Sequence, residues 1–222
     1  MEHRQKKGAE TTPDKNAIPD RLNKTISALL SSPQALPIAK SIAESFLHIG
    51  ADNLELVKGN LPTWNNGVCG EYEECWSIQF NRAKDNHKFH VDLTAVPLSE
   101  SVDGMKEYSA YRAAALLSRQ TDPRNLAYVR EIVLFEQPLF ASDNWLYEFV
   151  FSSEDGEILA ENIAVLTVIL PRLPKTPVES MGNDEKWANF FACVANGQSC
   201  KSLVDALPEI GLAASVVEEL GL

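Results

Sequence analysis

Basic residues are scarce in this chain. Lys and Arg number 20 against 31 Asp and Glu, a net charge of −11 over 222 residues. Nonspecific nucleic-acid binding draws its affinity from cations on phosphates, so this balance opposes it, although it leaves room for a local basic groove. It suits a soluble protein with a basic or uncharged protein partner. Long apolar runs are missing too. The longest, Ile163 to Leu170, is interrupted by Thr167 and stops at Pro171, short of a membrane span. The first twenty residues, MEHRQKKGAETTPDKNAIPD, contain no apolar core of the kind a secretory signal needs. The expectation is a soluble cytoplasmic protein with no membrane contact.

Only four cysteines occur: Cys69, Cys75, Cys193 and Cys200. Without an export signal they read as reduced thiols rather than a disulfide framework. Cys69, Cys75, His87 and His90 invite a zinc reading. Their C-x5-C and H-x2-H spacings fall outside the usual C-x2–4-C knuckle, so packing and surface roles are favoured. A thiol–imidazole pair among them has nothing to fix its geometry. The chain also lacks a P-loop, G-x-G-x-x-G, G-x-S-x-G and H-E-x-x-H, which leaves nucleotide-dependent, serine-hydrolase and zincin chemistry unsupported.

What is present is a strand with an acid at its centre, Lys88-Phe89-His90-Val91-Asp92-Leu93-Thr94-Ala95-Val96. Strand parity places His90, Asp92 and Thr94 on one face and Phe89, Val91, Leu93 and Ala95 on the other. An ordinary amphipathic strand with its polar face in water explains this pattern. An acid inside an apolar strand otherwise requires a partner, a metal or a catalytic role.

Around that strand the periodicity is legible. A helix opens at Pro19-Asp20 with Leu22, Ile26, Leu29 and Leu30 on one stripe, and Ser31-Ser32-Pro33 breaks it. A second carries Ile38, Ile42, Phe46 and Ile49, with Gly50 as its C-cap. Residues 53–58 and 73–81 read as strands, separated by a loop at 59–67 that contains Pro62 and Asn65-Asn66-Gly67. Asp85-Asn86 turns the chain into the central strand, making a hairpin. Residues 102–120 are helical, with Met105, Tyr108, Ala115 and Leu116 near one face and Arg112 and Arg119 on another. Both arginines are available to DNA phosphates or to Asp92, or else form an ion pair or a solvated helix face. Strands follow at 130–136, 145–151 and 163–170, with Asp155-Gly156 turning between the last two. A helix at 184–195 bears Trp187, Phe190 and Phe191, and residues 201–222 form one or two short helices interrupted by Pro208 and Gly211. Helices, strands, helix, strands and helices in that order predict one mixed α/β sheet with helices packed on it.

Several of these runs carry a family resemblance. They are Tyr108 to Leu117 in the helix after the central strand, the run Arg130-Glu131-Ile132-Val133-Leu134-Phe135-Glu136-Gln137-Pro138-Leu139-Phe140, the strands 145–151 and 163–171 with Lys175 behind them, and Lys186-Trp187-Ala188-Asn189-Phe190-Phe191. Over residues 20–195 the layout resembles the PD-(D/E)XK nuclease-family transposases, also described as recombination-promoting nucleases. The resemblance implies a restriction-endonuclease-like mixed central sheet flanked by helices, with helical N- and C-terminal segments. It divides the chain into a flexible tail at 1–17, a nuclease-like domain at 18–197 and a C-terminal helical segment at 198–222.

The family's chemistry needs an Asp on one strand and Glu-x-Lys or Glu-x-Gln on the next. The two carboxylates hold Mg²⁺, and the metal activates water against a phosphate. Carried onto this chain, the Glu position falls on Asp92 and the Lys or Gln position on Thr94. The Asp position falls near Ser77, with Glu74 the only nearby carboxylate and of opposite strand parity. A second register makes Asp92 the first acid, followed by Glu100 or Asp103, neither with a Lys two residues on. The expectation is a fold relative with an eroded active site that binds a protein partner and needs no cofactor. Nucleic-acid binding is expected to be weak. The alternative is an active Mg²⁺-dependent DNA endonuclease with Asp92, and with Glu74 beside it, as metal ligands.

Overall fold

A computed structural model describes residues 21–65, 68–96, 102–118 and 126–221. The expected tail at 1–17, Arg119 and Glu100 lie outside those residues. Two helices open the described chain, α1 (Arg21–Ser31) and α2 (Ala35–Leu47). The stripe Leu22, Ile26, Leu29 and Leu30 is buried, as is Ile38, Ile42 and Phe46 of α2. The predicted Gly50 cap is corrected: His48 ends α2 in the left-handed region at φ 53°. The turn therefore comes two residues early, and β1 begins directly after Gly50.

Three antiparallel strands follow: β1 (Ala51–Asn65), β2 (Val68–Arg82) and β3 (Lys88–Val96). The loop expected at 59–67 is mostly strand. β1 and β2 pair from Ala51↔Arg82 to Asn65↔Val68, and Pro62 is accommodated opposite Tyr72 because β1 is an edge strand. β2 then pairs with β3 over only four positions, Asn81↔Lys88 to Ile78↔Val91. Beyond this point the two strands part. Asn23 of α1 fills the gap in the ladder: its carboxamide accepts from Ala95 N at 2.8 Å and donates to Ala95 O at 2.8 Å.

Helix α3 (Val102–Ser118) carries the chain to β4 (Tyr128–Phe135), which lies parallel to β3 from Phe89↔Tyr128 to Val96↔Phe135. The strands β5 (Leu146–Ser152) and β6 (Ile158–Ile169) form an antiparallel hairpin, with β6 parallel to β4. Gly156, at φ 84°, makes the turn between them. The six-stranded mixed sheet runs β1-β2-β3-β4-β6-β5. The chain closes with α4 (Asn183–Ala195), α5 (Lys201–Val204) and α6 (Pro208–Glu219), the last running through Gly211 rather than breaking at it.

The sheet is covered on both faces, as parallel strands require. On one face Val91, Leu93, Ile132, Leu134, Leu166 and Val168 meet α1, α2, α4 and α6 in one continuous apolar cluster. Trp187, fully buried there, donates its indole N–H to Ser41 Oγ at 3.0 Å. On the other face α3 is the cover, and the apolar residues divide into two smaller groups. One surrounds Val133, Phe135 and Ile169, and the other is Leu116 with Val129. No helix among the described residues is long and apolar enough to cross a membrane.

Candidate functional site: a buried Asp–Arg–Glu cluster

Asp92 lies at the point where β2 and β3 part. The parallel register sets it directly beside Glu131 of β4, with both side chains on the face covered by α3. Two acids on neighbouring strands repel each other unless a cation or a proton intervenes. The cation comes from α3. Ser109, Arg112, Ala113 and Leu116, at spacings of three, one and three, form the buried stripe of that helix. Arg112 therefore points at the sheet, and of the roles open to it the ion pair with Asp92 is the one formed.

The guanidinium spans both acids. Arg112 Nε donates to Glu131 Oε1 at 2.9 Å, and Nη2 donates to Asp92 Oδ2. All three residues are sealed from solvent, at 1% exposure for Asp92, 4% for Arg112 and 0% for Glu131. Burial, first, and then the neighbouring Asp92 hold the Glu131 carboxyl well above the usual carboxylate range, against the opposing pull of Arg112. A proton on Glu131, donated to Asp92, supplies a contact that two anions cannot make. Treated as two carboxylates, Asp92 Oδ1 and Glu131 Oε2 have no hydrogen-bond partner among the described residues. With Glu131 neutral, the cluster holds one guanidinium and one carboxylate, the combination that costs least in a low dielectric.

The other predicted positions are placed as follows. His90 and Thr94 are buried on the same face as Asp92, so that face is not the water-facing side of an amphipathic strand. His90 is in register with Gln79. Thr94 Oγ1 donates to Asn23 Oδ1 at 3.4 Å, which ties it to the α1 contact. Ser77 is fully buried, one residue beyond the last β2–β3 pair, and its Oγ has no hydrogen-bond partner among the described residues. Glu74 lies farther along β2 in register with Asn60, and its side chain is outside the described residues, as is that of Asp103 in the first turn of α3. Cys75 donates to Gly59 O at 3.3 Å across the β1–β2 hairpin, while His87 stacks on Tyr128 at 5.5 Å. Among the described residues no group of three His, Cys, Asp or Glu side chains is placed to hold a metal.

The donor set does not fit Mg²⁺ in a nuclease. Arg112 occupies one oxygen of each carboxylate, and a divalent cation there would face a guanidinium in a low-dielectric pocket. Near-complete burial leaves no approach for a phosphodiester. Of the cluster's members, Glu131 was missed by the motif reading. The signal that marked Asp92, an acid within an apolar strand, also marks Glu131, which precedes Ile132-Val133-Leu134-Phe135. Comparison of the chain with family models, curated proteins and solved structures finds no match.

Proposed function

We propose that this chain is a restriction-endonuclease-like fold relative of the PD-(D/E)XK nuclease-family transposases whose cleavage site has eroded, and that it acts by binding a protein partner. The observation that carries the reading is Arg112. It engages Asp92, the one carboxylate at a family catalytic position, and seals it beneath α3. Ser77 and Thr94 supply hydroxyls where a carboxylate and a Lys or Gln are needed. The mixed sheet with helices on both faces supports the fold assignment.

The partner half of the reading has its support at the β5 edge. Phe149, Val150, Phe151 and Ile158 are exposed by 42%, 41%, 38% and 52%. Isolated surface apolar residues need no explanation, but three consecutive positions of an outer strand and one on its hairpin mate leave both faces of this edge apolar. Glu154, Asp155 and Glu157 border it in the turn and make no ion pair among the described residues. The edge therefore suits an extended segment with apolar residues at alternate positions and Lys or Arg at one end, added as a further strand.

Two measurements test the two halves. Purified protein incubated with plasmid DNA and Mg²⁺ or Mn²⁺ leaves the plasmid intact. Robust nicking that disappears in Asp92→Ala would restore the endonuclease reading. A synthetic peptide of alternating Val and Lys perturbs the amide resonances of β5, more weakly as salt rises, and Phe149→Asp abolishes the effect. Perturbation elsewhere with β5 silent would move the partner surface off this edge.

A further inference from the structure

The end of α4 brings two thiols together. Gly197, at φ 62°, reverses the chain in a Schellman turn. Its two signature bonds are both present: Gln198 N donates to Cys193 O at 2.8 Å and Gly197 N to Val194 O at 3.1 Å. The reversal lays residue 200 back along the helix it has just left. Cys200 Sγ lies 3.9 Å from the carbonyl oxygen of Phe190, and Phe190 is three residues, about one turn, before Cys193. Cys200 Sγ also lies 3.9 Å from Gln198 O, so it sits inside the turn, where the two thiols perturb each other. Both are half-buried, with their inner sides against the main apolar cluster. Neither the proposed nuclease-like origin nor the partner edge uses them.

We propose that Cys193 and Cys200 form an exchange-active dithiol, a modification site for small-molecule disulfides of the glutathione class. Cys193 is the attacking sulfur. The S–H of Cys200 donates to it and holds the Cys193 thiol down at about 7, while Cys200 itself is pushed up by its neighbour. The helix C-terminus works against a thiolate, which leaves this donation as the stabilising contact. In the first step the Cys193 thiolate bonds to one sulfur of the small disulfide. The S–S bond of that disulfide breaks, and its other half departs as a thiolate that takes a proton. In the second step Cys200 loses its proton to solvent and attacks the Cys193 sulfur. The Cys193–Cys200 bond forms as the second half leaves and is protonated. Two protein thiols are oxidised and one small disulfide is reduced to two thiols. Residues 194–199 become a closed loop that ties the last turn of α4 to the start of α5.

The test uses the full chain in buffers of oxidised and reduced glutathione, read by intact mass and peptide mapping. The expected product has lost two hydrogens and carries its only crosslink between Cys193 and Cys200. Cys200→Ser halts the reaction at a glutathione adduct on Cys193. Iodoacetamide labelling of Cys193 in the unaltered chain has a pH midpoint at about 7. Cys200→Ala raises that midpoint toward the ordinary thiol value and slows labelling at neutral pH by roughly tenfold. Adducts confined to Cys69 or Cys75, or a Cys193 midpoint unmoved in Cys200→Ala, would overturn the proposal. Should either variant not fold, the mapped crosslink and the labelling midpoint of the unaltered chain decide it: their presence upholds the site and their absence removes it.

Discussion

On one face of the sheet four helices press onto an unbroken apolar layer; on the other a single helix covers a layer divided by three ionisable side chains. Both faces are equally dry. They differ in what happens when one side chain is lost. In the apolar layer a truncation leaves a hole that its neighbours partly fill, and the cost follows the volume removed. In the charged layer a truncation leaves an ion without its counter-ion, and the cost follows the charge stranded. The first face tolerates gradual change, whereas the second requires its members to change together.

The sharpest test of that contrast is Arg112→Met. It strands Asp92 beside Glu131 and is expected to cost about 3–5 kcal/mol, read from urea midpoints. The triple replacement Asp92→Leu, Arg112→Met, Glu131→Leu is expected to recover that loss and to add roughly 0–4 kcal/mol over the parent chain. A triple variant as unstable as Arg112→Met alone would mean that the charges organise the packing of α3 and are not merely tolerated beneath it. On the apolar face Leu93→Ala is expected to cost about 2–5 kcal/mol, with no companion change that restores it except a refilled cavity.

A smaller effect separates the faces by pH. Glu131 has its carboxyl value raised in the folded chain, so the folded state holds a proton that the unfolded state releases. Its contribution is complete below the ordinary glutamate value and is lost as pH rises from there through the raised value. Urea midpoints of the parent chain should therefore fall across that window, and Glu131→Gln should flatten the slope. An unchanged slope in Glu131→Gln would assign it to other groups. The least effect is expected at the β2–β3 turn. There Arg82 donates to Asp85 and holds its carboxyl down to about 2. The sign is reversed: this contribution is present above the ordinary aspartate value and is lost as pH falls toward 2. Asp85→Asn should trim acid stability slightly and leave neutral stability within measurement error, because the pair is solvated.

Reading the sequence located β3 to the residue, because its neighbours are unambiguous: a turn at Asp85-Asn86 before it and strict alternation within it. The β1–β2 arm was shortened because Gly59, Pro62 and Asn65-Asn66-Gly67 are turn formers. Their pairing across a long hairpin is a nonlocal fact that a window cannot register. The same holds for the cluster. Asp92 was legible as an anomaly within one strand, but its partners sit on a helix and on a strand beyond that helix. Arg112 was left open between DNA phosphates, Asp92, an ion pair and a solvated helix face, because charge on a helix ordinarily marks solvent. Here it marks a counter-ion, and only the register Asp92↔Glu131 reveals what it counters.

The parallel crossover from β3 through α3 to β4 also bears on the order in which the molecule assembles. Asp92 and Glu131 become neighbours only after the intervening chain has been gathered and α3 laid across it, so the loop-closure entropy falls due before their contacts form. Local pieces such as the β1–β2 hairpin and the α1–α2 pair have no such wait. A contact made that late is absent at the folding barrier, and its loss is felt as faster opening of the finished molecule rather than slower formation. Arg112→Met is therefore expected to raise the unfolding rate in chevron kinetics more than it lowers the folding rate.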